Sequence, residues 1–183
     1  AVLPGAEPAL GWLQRLADHP KLCAVGEMGL DYFLPELDRV QQQALFNAQL
    51  ALAAEFELPA LLHVRRSHAA VIATLKRYRL ARGGIIHAFA GSMEEAREYL
   101  KLGFKLGIGG AATWPQALRL RKVIAKLPLA ALVLETDSPD MAPAMHPQQR
   151  NSPEFLADMC TAIAELKNLS SDQLARASSE NAC

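Results

Sequence analysis

A chain of 183 residues with 51% hydrophobic and 21% charged side chains has the make-up of a globular domain with a substantial core, which excludes a disordered or fibrous protein. Its 19 basic and 19 acidic residues cancel, so no whole-molecule field draws it onto nucleic acid or anionic lipid, and any phosphate recognition must be local. Cys23, Cys160 and Cys183 are odd in number and show no CxxC spacing, which argues against a thiolate zinc site or a disulfide framework and fits a reducing compartment. No apolar stretch approaches the roughly 18 residues of a membrane span, and the opening AVLPGAEPAL lacks the basic start of a signal peptide. The expectation is a cytoplasmic protein without membrane contact. The opening also lacks an initiator Met, and the closing SSENAC halts inside a polar helical pattern, so a single domain over residues 1–183 is expected, incomplete at both ends.

Hydrophobic periodicity predicts a helix near Glu7 to Asp18, a strand at Leu22 to Glu27 and a long helix from about Pro35 to Glu57. A strand over Ala60 to Val64 follows, then a helix capped by Ser67 and running to Tyr78. Gly83-Gly84 opens a strand over Ile85 to Phe89, and Ser92 with Glu95 forms a capping box for a helix that Gly103 closes. Phe104 to Ile108 reads as a strand, Trp114-Pro115 starts a helix near Gln116 to Lys126, and Ala131 to Glu135 reads as the fifth strand. A Pro- and Met-rich loop, Ser138 to Ser152, precedes helices at Pro153 to Lys167 and Ser171 to Glu180.

Strands alternating with helices argue an α/β fold with a parallel sheet and right-handed crossovers. An open doubly wound sheet would bind at Gly-rich turns, and neither GxGxxG nor GxxxxGK[ST] occurs. The reading is therefore a (β/α)8 TIM-type barrel, of which this chain holds about five βα units. In such a barrel the strand C-termini converge on one rim, so ligands distant in sequence can meet.

Four apolar runs end in a side chain suited to hard or borderline metal ions: Glu27, His63, His87 and Asp137. A lone strand-end Glu is more often salt-bridged, and a lone His more often a hydrogen-bonded core residue. Four at matching positions are hard to assign to chance. Mixed oxygen and imidazole ligands favour zinc, manganese, cobalt or magnesium. A carboxylate such as Glu27 can bridge two ions, and Asp137 can take a proton from an activated water. Arg65 follows His63 by two and shares its face, which makes it a candidate phosphate contact, with an ion pair to Glu135 or Asp31 as the alternative. Arg66 is expected to point away or into the loop. Arg150 and Asn151 are further phosphate candidates, with a solvated loop as the alternative. His19 and His68 are expected to be exposed, His146 is left without a fixed position, and Trp12 and Trp114 are read as packing residues.

At these residues the chain resembles the TatD family of metal-dependent deoxyribonucleases, barrel hydrolases related to the amidohydrolases. GEMGLDY resembles the family's GEIGLDY, LLHVR its HxR element, IIHAFAGS its HCFSGS, LETDSP its LETDAP and RNSP its RNxP, spanning Gly26 to Pro153. The resemblance implies Glu27 as a bridging ligand, His63 and His87 on one ion, Asp137 on the other, two divalent ions per complete site, and Arg65 near the substrate phosphate. It also implies Asp137 and Glu27 as catalytic groups and DNA or a small phosphodiester as substrate, with no obligate protein partner. One departure stands out: family members carry an HxH element on the first barrel strand, and no HxH occurs in this sequence, so the resemblance implies that the first strands of the barrel are missing from it. The leading expectation is a metal-dependent deoxyribonuclease. The alternatives are a metal-dependent amide or ester hydrolase, since the same ions polarise a carbonyl, and a noncatalytic remnant.

Overall fold

The computed structural model describes residues 11, 15, 19 and 21–183. Of the helix expected near residues 7–18 only Gly11 and Arg15 are described, both helical, and Trp12 lies outside the described residues. The strands are β1 (Val25–Asp31), β2 (Ala60–Arg65), β3 (Gly84–Ile86), β4 (Phe104–Ile108) and β5 (Leu132–Leu134). Between and after them come helices α1 (Arg39–Glu55), α2 (His68–Tyr78), α3 (Met93–Lys101), α4 (Leu118–Lys126), α5 (Leu156–Leu166) and α6 (Ser171–Ala182). The expected α/β alternation is present, in two compact units: the described residues up to Ile86 with Arg97–Phe104, and His87–Ala96 with Lys105–Cys183.

In the first unit β1 pairs parallel with β2, and β2 with β3. Their apolar faces bury Met28, Leu30, Leu62 and Ile86, with Phe46 and Leu50 from α1, Val71 and Leu75 from α2, and Tyr99 from α3. Strand β1 starts three residues later than the periodicity suggests and runs on to Asp31, because GLD continues the extended run. A shift of register between Val25 and Met28 takes Gly26 and Glu27 out of the regular ladder. Helix α1 starts at Arg39 rather than near Pro35, because Asp38 caps it by accepting from the N–H groups of Val40 and Gln41. One turn on, the Gln42 carboxamide accepts from the Asp31 N–H at 2.7 Å and donates to the Asp31 carbonyl at 2.9 Å, copying a ladder pair on the side of β1 away from β2. Ser67 precedes α2 without capping it, and its hydroxyl instead donates to the Leu30 carbonyl at 2.6 Å.

In the second unit β4 pairs parallel with β5, Leu106 opposite Leu132 and Ile108 opposite Leu134. The Ser92 and Glu95 capping box forms as expected. Helix α4 begins at Leu118, later than expected, because Gly110–Thr113 forms a 3-10 turn and Trp114 anchors the following bend by donating to the Ala142 carbonyl. Helix α6 starts with a second capping box, Ser170 with Gln173. Its far end closes the outer side of β5: the Ser178 hydroxyl accepts from the Leu134 N–H, and the Asn181 amide donates to the carbonyls of Leu132 and Leu129. Leu106, Ile108, Ile124, Leu132, Met159, Ile163 and Leu174 form the core. Cys160 is buried beside α6, where burial and then Asp172 push its thiol up, an environment for a packing residue rather than a nucleophile. Among the described residues no helix is long and apolar enough to cross a membrane.

Candidate metal centre

Each unit carries one imidazole held between two carboxylates. In the first, His63 is the fourth residue of β2, and its Nδ1 lies 3.1 Å from Glu27 Oε1 while its Nε2 lies 3.5 Å from Asp31 Oδ2. Glu27 is not at a strand end, as the sequence suggests, but is the third residue of β1. The register shift turns it outward, and its side chain is 47% exposed. Asp31 binds both neighbours on β2, since the same Oδ2 lies 3.7 Å from Arg65 Nη1. Of the two ion-pair partners left open for Arg65, Asp31 is the one the structure selects. Burial pushes the Asp31 carboxyl up, but the N–H of Phe33, then His63 and Arg65, outweigh it and hold it below the usual aspartate range.

In the second unit His87 lies just beyond β3 rather than inside it, because Ala88 adopts φ 44° and ends the extended run before Phe89. Its Nδ1 lies 2.8 Å from Glu135 Oε2, and its Nε2 lies 3.1 Å from Asp137 Oδ1. The second Glu135 oxygen accepts from the Ala88 N–H at 2.6 Å, so the carboxylate is fixed at both ends. Gly107 makes room for it, since a Cβ there would collide with that carboxylate. Asp137 itself sits at φ 57°, a costly conformation for a non-glycine residue.

The donor chemistry suits a divalent cation. A carboxylate that accepts the Nδ1 proton fixes the tautomer and leaves Nε2 as the lone-pair donor, the arrangement that orients metal-binding histidines. His87 with Glu135 has this form, with the Asp137 carboxylate beside Nε2. His63 has a carboxylate at each nitrogen and suits the same use. Among the described residues no group of three or more His, Cys, Asp or Glu side chains is placed so that it could hold a metal ion, so each cluster offers only part of a ligand set. Sequence reasoning missed Glu135 and Asp31 as parts of these clusters, offering them only as partners for Arg65. The signal available was spacing: Glu135 and Asp137 lie two apart beyond β5, as Asp31 lies at the end of β1.

The other candidates divide. Arg150 is exposed beside a shallow cleft that Ser138, Pro139 and Ser152 also line. Asn151, expected to reach a phosphate, is 3% exposed, and its amide donates to the carbonyls of Thr136 and Asp140, tying down the loop after Asp137. His146 is not free-standing: its Nε2 lies 2.7 Å from Asp158 and its ring stacks on Phe155 at 3.7 Å. His68 is not simply exposed either, as its Nδ1 meets the Tyr99 hydroxyl at 3.0 Å.

Parallel strands joined by helices, with imidazoles and carboxylates toward the carboxyl ends of the strands, define an α/β protein of the (β/α)-barrel type. The chain belongs to the TatD-related DNase family, whose model matches residues 4–183. It is 44% identical over 165 residues to the protein named uncharacterized metal-dependent hydrolase YjjV of Escherichia coli K12, covering 90% of this chain and 64% of that protein. It is 38% identical over 177 residues to the protein of Pantoea vagans named 3'-5' ssDNA/RNA exonuclease TatD, covering 93% of this chain and 68% of that one. The crystal structure of the E. coli YjjV matches with a TM-score of 0.91 at 42% identity, over 96% of this chain and 68% of that chain. The chain thus has the fold of TatD proteins over about two thirds of their length.

Proposed function

We propose that this chain is a divalent-metal-dependent hydrolase of phosphodiester bonds in nucleic acid, with DNA as its substrate. The observation that carries the reading is His87, whose Nδ1 is held by Glu135 so that Nε2 is left beside Asp137. Names given to relatives, a metal-dependent hydrolase and a single-stranded DNA and RNA exonuclease, support it. Residues 1–183 are treated as one hydrolase domain, with Glu27, His63, His87 and Asp137 as ligands of zinc, manganese or magnesium, two ions per complete site. The ions supply Lewis acidity and lower the pKa of water. Glu135 and Asp31 hold the imidazoles in the ligating tautomer and orientation. The Asp137 carboxylate takes the proton of the attacking water, and Glu27 is the second catalytic carboxylate. Arg65 holds the reacting phosphate through its planar fork, with Arg150 as a more distant phosphate contact.

The test is release of nucleotides from end-labelled single-stranded DNA by the chain reconstituted in turn with Mn2+, Zn2+ and Mg2+. Turnover that requires metal and that His63→Ala and His87→Ala each reduce by about 100-fold or more supports the reading. Wild-type chain that retains no metal and cleaves no diester overturns it. Comparison with an amide substrate separates the two hydrolase classes, because Arg65→Ala lowers kcat/KM far more for the anionic phosphodiester than for the neutral amide.

A further inference from the structure

The ends of β1 and β2 carry a second cationic group that this reaction does not use. Arg65 and Arg66 are neighbours, and in an extended chain neighbouring side chains point to opposite faces. Arg66, expected to point away or into the loop, lies in the bend just after β2 and breaks the alternation. Its φ of 55° lies in the left-handed region, and the resulting turn brings its guanidinium to 4.7 Å from the centroid of Phe33, the ring over which Arg65 sits at 3.8 Å. Such a backbone costs a non-glycine residue on the order of 1 kcal/mol. Phe33 is 41% exposed, and Tyr32 beside it carries Arg39 at 4.5 Å.

Three guanidinium groups are therefore held on two consecutive aromatic rings in a chain of zero net charge. Arg65 is partly neutralised by Asp31. Arg66 has no carboxylate within 4.0 Å among the described residues. Cation–π contact orders a guanidinium without cancelling its charge, so the Arg66 donors stay open to an anion. Both guanidinium groups lie within 4.7 Å of one ring centroid, which keeps them near enough to one another to meet neighbouring phosphates.

We propose that Arg66, held by Phe33, forms a second phosphate subsite beside Arg65, taking the neighbouring phosphate of a single-stranded nucleic acid. The ligand class is a linear phosphodiester with at least two consecutive phosphates. The proposal deepens the hydrolase reading and rests on it for placing Arg65 at the reacting phosphate. The binding itself does not depend on turnover.

The test is binding of fluorescein-labelled oligo-dT by the metal-stripped chain, followed by anisotropy across a salt series. Arg66→Gly suits the left-handed backbone and removes only the side chain, while Phe33→Leu removes the ring and leaves every charge. Both are expected to weaken binding about fivefold, and Arg66→Gly alone to reduce the slope of log K against log salt by about 0.7. In the metal-loaded chain, Arg66→Gly raises the KM for oligo-dT relative to that for bis(p-nitrophenyl) phosphate, which has one phosphate. Wild-type affinity and salt slope in Arg66→Gly, or an equal rise in both KM values, overturns the subsite. A wild-type chain that binds oligo-dT through Arg66 yet hydrolyses neither substrate overturns the hydrolase reading and upholds the subsite.

Discussion

Glu135 does three things with one carboxylate. It holds His87 Nδ1, accepts the Ala88 N–H across the turn that ends β3, and fills the space opposite Gly107. The first two act together, because the peptide hydrogen bond fixes the oxygen pair and so fixes the imidazole. Glu135→Gln keeps the shape and one acceptor but removes the negative charge that faces His87 Nδ1. The expected result is an apparent metal affinity lower by about 10- to 100-fold, measured by titration of the stripped chain, with little loss of folding stability. Removal of the side chain in Glu135→Ala also leaves the Ala88 N–H without its acceptor, and part of that loss would be structural.

At the scale of elements, α2 and α3 are joined by a charged cluster in which Glu98 Oε1 receives Lys101 at 2.6 Å and its Oε2 receives Lys76 at 2.5 Å. Hydrogen bonds from these lysines, and then their charges, lower the Glu98 pKa from 4.5 to about 2. A carboxylate depressed in the folded state stabilises it fully above the unfolded pKa and loses that contribution as pH falls through the folded value. Wild-type unfolding free energy should therefore drop more steeply between pH 4.5 and about 2 than that of Glu98→Gln, read from urea curves at each pH. This pairing was not legible in the sequence, because it depends on which faces two helices turn to each other. Strands β2 and β4, whose apolar runs follow the breakers Pro59 and Gly103, lie within one residue of expectation, and Gly103, at φ 83°, closes α3 as expected. Strand ends were less legible where a non-glycine residue turns left-handed, as Ala88 and Arg66 do, since nothing in their side chains announces it. The same blindness hid Asn151, whose amide is recruited by carbonyls of its own loop.

For the molecule as a whole, a ligand that binds only the folded state raises its stability, by about 2.7 kcal/mol at 100 times Kd. Saturating Mn2+ or Zn2+ should then raise the thermal midpoint by about 5–10 °C, and a His63→Ala/His87→Ala double variant should lose that shift. Calorimetry of the stripped and loaded chain reads it directly. One further property follows from how the outer strands are finished. Gln42 occupies the peptide groups of Asp31 on β1, and Ser178 and Asn181 occupy those of Leu134 and Leu132 on β5. A bare strand flank is a template on which another chain can zip itself into amyloid-like stacks, and side-chain amides and hydroxyls that saturate it remove the template without adding a strand. On these flanks three polar side chains from two helices stand in for the neighbouring peptide groups that another strand would supply, so truncating Gln42 or Asn181 would leave main-chain groups of β1 or β5 without that partner.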